Sequence, residues 1–322
     1  MNSFISNFRT ESKVIAAVLL LLAAVEFSLY LGEPWLSADV RHIRQIPGIV
    51  ENLRTAEPPR VLFLGNSLTR ASIQPDLVAD TLASANLPRV NPAMIFPDDT
   101  TIVDWHYLYR NFIQPKNPQL NLIVISFAYG HLDDHQPLNV ERLGGEFAGL
   151  SSAPEAFAHD VLSPSDRIEY LLSCVFRLWA DRVRVQTRVL ALIPGYTTLA
   201  QVINRTLRGQ SQHDLPDPPV TYHRLARFIG MVVEDGNKLV FVAVPVPRRY
   251  PLPQELRNTI RNAGAELIDL QGVIPFTPAD FPDGYHLSAP AAQQFSKALA
   301  RAMADNDYVR SALDQRATKP YK

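Results

Sequence analysis

The sequence predicts an α/β protein, with a parallel sheet between layers of helices, a membrane helix at its N-terminus and a helical insertion. Three observations carry that reading. From residue 60 onward, short apolar runs alternate with amphipathic stretches, as in strands joined by helices in a parallel sheet. Residues 14–25, VIAAVLLLLAAV, form an uncharged apolar run. Residues 138–219 break the alternation and contain no convincing strand.

Composition sets the outer bounds. The chain has 322 residues, enough for one large or two ordinary domains. A hydrophobic share of 47% with 20% charged residues excludes wholesale disorder. Lys and Arg number 31 against 32 Asp and Glu, so there is no cationic excess for nucleic acid. A single cysteine, Cys174, rules out an internal disulfide and a cysteine-based zinc site.

Arg9 and Lys13 precede the N-terminal run, which reaches Leu31 if Glu26 is accepted within it. A spanning helix needs about 17–25 residues, so the extended run is long enough. Glu26 lies toward its far end, where a carboxylate costs less than at the bilayer centre. The positive flank predicts a cytoplasmic N-terminus and an exported body. The expectation is a single-pass protein of the inner membrane with its body on the periplasmic side. The run also fits a cleaved signal peptide. Cleavage after Ala24 would, however, put Leu22 at the −3 position, so an uncleaved anchor is preferred. The expected organisation is an anchor over 1–32, a juxtamembrane stalk over 33–58, a body over 59–310 and a polar tail over 311–322.

Within the body, RVLFLG (60–65) is an apolar run stopped by glycine, hence a buried strand. Residues 68–84 have helical spacing, broken or restarted at Pro75. RVNPAMIF (89–96) reads as a weaker strand and 101–113 as an aromatic-rich helix. LNLIVISFA (120–128), KLVFVAVPV (238–246) and AELIDL (265–270) read as further strands. Helices fall at 220–235, ending in a DGN stop, at 253–263, and at 288–304 with Ser288 as N-cap and Pro290 in the first turn. Such a sheet places its ligand site beyond the carboxyl ends of the strands.

In the insertion, residues 167–193 are helical, apolar and studded with Arg167, Arg177, Arg182, Arg184 and Arg188. One reading is a segment that docks on a membrane or partner. The preferred one is a helical cap on the sheet with its arginines in solvent, the default for a surface helix.

The chemistry gathers at two places. The first strand runs into Gly65-Asn66-Ser67, so a serine stands between strand and helix at the carboxyl edge of the sheet. Its amide, at a helix N-terminus, can stabilise an oxyanion formed when Ser67 attacks a carbonyl. A serine there is also an ordinary helix cap. More than 200 residues later stands Asp283-Gly284-Tyr285-His286, and a serine nucleophile needs a base that an acid orients. Alone, this tetrapeptide is a turn with a surface histidine.

Together the two blocks resemble the SGNH/GDSL hydrolase superfamily, its first block appearing as Gly65-Asn66-Ser67 and its last, DxxH, as Asp283 to His286. The resemblance covers about residues 60–304. It implies a three-layer flavodoxin-like fold, with Ser67 as nucleophile, His286 as general base and Asp283 as its orienter. It implies no cofactor and no metal. The family's second block offers a glycine amide and its third an asparagine side chain. Here residues 91–101 contain no glycine, and Gly130 falls roughly where that asparagine belongs. The oxyanion candidates are the Ser67 amide, Asn66 and the Gly130 region.

An anchored chain reading LGNSLTRASIQP resembles, within this superfamily, the accessory proteins of cell-surface O-acylation: alginate-type acetylation and teichoic-acid D-alanylation. That subgroup implies a membrane-bound O-acyltransferase as partner and a polysaccharide as acceptor. It implies acyl transfer, with O-acetyl as the expected group, through an acyl-Ser67 intermediate. A carbohydrate or lipid esterase and a non-catalytic binding protein on the same scaffold remain the alternatives. The intact Ser67, Asp283 and His286 argue against the last.

Three other groups of residues stand out. His131 and His135 are four apart, a spacing that grips a metal on a helix, although a polar rim of the site fits better. Asp98, Asp99, Trp105 and His106 suit a sugar groove, or else the acids form the acidic start of a helix. Cys174 lies on an apolar face and reads as core.

Overall fold

The structure, a computed structural model, describes residues 2–191, 193 and 220–314. Along the chain run α1 (Asn2–Leu36), α2 (Ala38–Thr55), β1 (Arg60–Leu64), α3 (Ser67–Ser72), α4 (Pro75–Ser84), β2 (Asn91–Ile95), α5 (Ile102–Leu108) and β3 (Leu122–Phe127). Then come α6 (Val140–Arg142), α7 (Ala153–His159), α8 (Pro164–Val175), α9 (Arg177–Ala180) and α10 (Arg182–Ala191). The chain returns through α11 (His223–Glu234), β4 (Leu239–Ala243), α12 (Gln254–Asn262), β5 (Glu266–Asp269), α13 (Ala289–Asp305) and α14 (Asp307–Leu313). The described residues form two compact units, one within 42–138 and 219–322, the other within 1–41 and 139–218.

The first unit is built on a five-stranded sheet of order β2-β1-β3-β4-β5, every pair parallel. β3 and β4 are buried at every position and β1 at all but Arg60, because strands covered on both faces must be continuously apolar. Pro92 is tolerated because β2 is an edge strand, paired only with β1. Strand order reverses between β1 and β3, and sheets of this order bind ligands at that switch point.

Helices α4 and α13 pack together, and α11 packs with α5 and α12. α13 buries Phe295, Leu299 and Met303, each worth roughly 2 kcal/mol as an apolar side chain removed from water. Its Ser296 explains the break at Pro75. The Ser296 hydroxyl accepts the Gln74 N–H at 2.8 Å, satisfying an amide left free where α4 restarts.

The segment expected as a stalk, 33–58, contains α2, whose Ile43, Ile46, Val50 and Leu53 are buried. Their spacing is a helical stripe. Pro47 removes one helical hydrogen bond without ending the helix. His42 stacks on Phe96 at 3.8 Å between ring centroids and accepts the Phe96 N–H at 2.9 Å. Residues 42–58, the greater part of the expected stalk, therefore belong to the same unit as the sheet.

The second unit contains α1 and the described part of the insertion. Within α1, Glu11–Gly32 is long and apolar enough to cross a membrane. Of the arginines expected in solvent, Arg184 is drawn inward, whereas Arg182 keeps a side chain 39% exposed. Arg142 pairs with Asp39 at 2.8 Å and with Glu146 at 3.0 Å. Arg184 pairs with Glu146, with Asp181 at 2.8 Å and with Asp39 at 3.3 Å. Glu146 and Asp181 are buried, so these guanidinium groups are drawn inward as counter-ions. Residues 194–219, and 315–322 of the expected tail, lie outside the described residues, as does the Arg188 side chain.

Candidate active site

Ser67 stands at the first position of α3, directly beyond the carboxyl end of β1. Gly65 makes this turn possible. A Cβ on Gly65 would lie 1.9 Å from Thr69 Oγ1 and 3.1 Å from the Ser126 carbonyl oxygen, so it fits only if the Thr69 side chain turns away and the strand end shifts slightly. Asn66 is the N-cap: its Oδ1 accepts the Leu68 N–H at 3.0 Å. Its Nδ2 donates to the Thr100 carbonyl at 2.9 Å and faces His131 Nδ1 at 3.2 Å. Both amide hydrogens of Asn66 are thereby engaged. The side chain of Asn66 is corrected from oxyanion donor to positioning residue, because it has no hydrogen left to offer.

His131 completes this clamp. Its Nδ1 accepts from Asn66 and lies 3.4 Å from the Ala128 N–H, which requires a neutral ring with its proton on Nε2. Burial holds its pKa down at about 4. Residues 131–135 form turns rather than a helix, and His135 is exposed, so the i,i+4 metal geometry is not formed. Trp105, fully buried, donates from Nε1 to Thr100 Oγ1 at 2.9 Å and toward the Gly65 carbonyl at 3.2 Å. His106 is also buried. Neither lines a sugar groove, because both point into the core. Nor do Asp98 and Asp99 open a helix: α5 starts at Ile102 behind Thr101, which forms a capping box with Asp104. Asp98 instead pairs with Arg70 at 3.1 Å.

The second block arrives from between β5 and α13. Gly284 takes φ +78, a conformation that favours glycine, and so turns the chain between Asp283 and His286. Asp283 Oδ1 accepts the N–H groups of Tyr285 at 2.9 Å and His286 at 2.7 Å. Asp283 Oδ2 lies 2.6 Å from His286 Nδ1, and His286 Nε2 lies 2.9 Å from Ser67 Oγ. The backbone and imidazole N–H groups of His286 pull the Asp283 pKa down to about 2, so the carboxylate stays charged. A charged Asp283 fixes the Nδ1–H tautomer, leaving Nε2 free to accept the serine proton. The arrangement can remove a proton from Ser67 and return it to a leaving group.

Beside it lies an aromatic stack. Tyr129 and Tyr285 are parallel within 12° at 6.3 Å, and Tyr129 also meets Tyr250 at 5.2 Å. Tyr285 meets the His286 ring edge-on at 5.0 Å. The Tyr250 hydroxyl lies between the carbonyls of Phe127 at 2.9 Å and Val244 at 3.0 Å, tying the ends of β3 and β4 together. Gly130, the remaining oxyanion candidate, lies in the turn after β3, its carbonyl accepting the Asp133 N–H at 2.9 Å. Cys174 is half-buried; its thiol donates to the Gly144 carbonyl at 3.3 Å, and burial pushes its pKa to about 11.

Fold and site together define an α/β protein with a serine–histidine–aspartate relay at the switch point of a parallel sheet. No protein-family model and no curated protein sequence matches the chain. Among solved structures it is similar to the crystal structure of the lipase/acylhydrolase from Enterococcus faecalis. The two are 13% identical, with a TM-score of 0.39, covering 77% of this chain and 96% of that chain.

Proposed function

We propose that the protein is a membrane-anchored SGNH-type enzyme that moves an acyl group, O-acetyl in the first instance, through an acyl-Ser67 intermediate. The observation that carries this reading is the unbroken relay from Asp283 Oδ2 through His286 to Ser67 Oγ, at 2.6 and 2.9 Å. His286 takes the Ser67 proton as Oγ attacks the acyl carbonyl. The backbone amide of Ser67 and one from the Gly130 turn stabilise the oxyanion. The donor's alcohol leaves with the proton held by His286. An acceptor hydroxyl then gives its proton to His286, attacks the acyl-serine and departs as the new ester, with the proton returned to Ser67.

The acceptor we favour is a cell-envelope polysaccharide on the periplasmic side. The helix Glu11–Gly32 supports a membrane address, and the partly exposed Tyr129 stacked on Tyr285 offers a flat surface to a sugar ring. A membrane-bound O-acyltransferase would supply the acyl group. With water as acceptor, the same site is an esterase.

The test uses the full chain with an activated acetyl ester. Ser67→Ala is expected to abolish turnover and labelling by a serine-directed phosphonate. His286→Ala should be nearly as damaging, and Asp283→Ala less so. With uronan or glucan oligosaccharides present, acetyl should reach sugar faster than water. Unchanged hydrolysis with no acylated sugar favours the esterase, and full activity in Ser67→Ala ends the reading.

A further inference from the structure

The insertion is built inside out. Leu162, Ile168, Leu171, Val175, Phe176 and Val183 point outward, 41–65% exposed. Ile168, Leu171 and Val175 fall on one face of α8, whose other face buries Tyr170 and Ser173. Most of the neighbouring arginines are engaged within the insertion, although Arg182 and Glu169 stay 39% and 37% exposed. Arg167 donates to the carbonyls of Val161 at 3.0 Å and Phe157 at 2.8 Å, and Arg177 to that of Gly145 at 2.9 Å. Arg182 is paired with Glu141, and Arg184 with Glu146, Asp181 and Asp39. A helix facing water shows the reverse pattern, with charges outside and the apolar stripe within.

A second, independent observation ties this face to α1. Along residues 11–31 of α1 every side chain is exposed except Glu26 and Leu29, which are half covered. The covering element is α9. Glu26 accepts the N–H of Arg177 with one carboxylate oxygen and that of Leu178, at 2.9 Å, with the other. Glu26 lies six residues inside the Gly32 end of the apolar stretch, about 9 Å along the helix axis at 1.5 Å per residue. Backbone amides at that depth have no water to bond and need such a partner.

We propose that the insertion is a membrane-embedded collar: α8, α9 and the start of α10 sit in the outer half of the bilayer against α1, with the apolar face on lipid acyl chains. The inference rests on α1 being the anchor. Lipid is favoured over a protein partner because α9, which follows the apolar face of α8, packs on the helix long enough to span a membrane, and most nearby arginines are paired within the insertion.

The test reconstitutes the full-length chain in phosphatidylcholine–phosphatidylglycerol vesicles. Nitroxide labels are placed through Ile168→Cys, Val175→Cys or Val183→Cys in a Cys174→Ser background, with Val233→Cys and Val273→Cys as controls. Vesicle flotation should carry every variant. Collisions with oxygen should exceed those with an aqueous nickel complex at 168, 175 and 183, and fall below them at 233 and 273. Brominated phosphatidylcholine should also quench Trp179 in a Trp35→Phe chain, which leaves the apolar face unsubstituted. A chain that fails to float overturns the anchor and the collar together. A chain that floats, yet favours nickel at 168, 175 and 183 or shows no Trp179 quenching, overturns the collar alone. In that case a protein partner is what covers the face.

Discussion

Acid should loosen the turn that presents Ser67, and His131 is the group that makes it do so. Its Nδ1 faces two donors, Asn66 Nδ2 at 3.2 Å and the Ala128 N–H at 3.4 Å. Protonation would place a third hydrogen between them. The folded pKa is lowered from 6.5 to about 4, so the unfolded chain binds this proton more readily than the folded one. Stability from this group is complete above the unfolded value and is lost as pH falls through the folded one. At 1.36 kcal/mol per pH unit, the loss by pH 4 is about 3 kcal/mol. For a domain of this size that is a fall of about 5–10 °C in melting temperature. The comparison is His131→Asn, whose Oδ1 accepts both bonds and does not titrate. Near-UV circular dichroism, sensitive to buried Trp105, should follow melting of the full chain in detergent from pH 7.5 to 4. The native chain should lose the larger share of its stability, and the His131→Asn chain should have a flatter profile. Equal profiles would refute the assignment of the acid response to this bond.

Gly65→Ala should cost about 1–3 kcal/mol in thermal or denaturant melting, because the added Cβ makes Thr69 turn its Oγ1, 1.9 Å away, and presses on the Ser126 carbonyl at 3.1 Å; an unchanged melting temperature would show that the turn does not need glycine. Asn66→Ala removes the α3 cap and the bonds to Thr100 and His131. It should cost about 1–2 kcal/mol in stability and about 10–100-fold in kcat, with KM little changed, measured by ester turnover and thermal melting. An Asn66→Ala enzyme that retains full kcat would show that the clamp does not position Ser67.

What the sequence made legible was local. The apolar runs marked β1, β3 and β4 because buried parallel strands are apolar on both faces. The Gly65 stop and the Asp283–His286 spacing put three side chains at one edge of the sheet, and they meet there. The supports of the site stayed hidden because they are contacts between distant segments. Trp105 lies 40 residues from Gly65, and His131 lies 65 from Asn66. Nothing in the neighbourhood of either announces its partner. Helix α2 was obscured by Pro47 within an otherwise regular apolar stripe. The arginines of the insertion misled for a different reason: a charge in a sequence reads as exposed until its counter-ion is seen.

Backbone strain gives a further reason to place function at this edge. Asn86, Asn117 and Gln119 have positive φ in connections that precede β2 or β3, at the far end of the sheet from Ser67. At the near end, Asp99 after β2 has φ 55 and Tyr129 after β3 has φ 49. An aspartate tolerates this region, but a tyrosine there costs of order 1–3 kcal/mol and persists only where its surroundings impose it. The surroundings are visible. Tyr129 is held by its contacts with Tyr250 and Tyr285, and Tyr250 is fixed by the carbonyls of Phe127 and Val244. The loop that follows β3 is therefore set by the same stack that borders His286. A substitution that relaxes Tyr129 would move the Gly130 turn and the wall of the site together. Aromatic packing thus holds the backbone of the turn after β3 at the edge where Ser67, His286 and Asp283 meet.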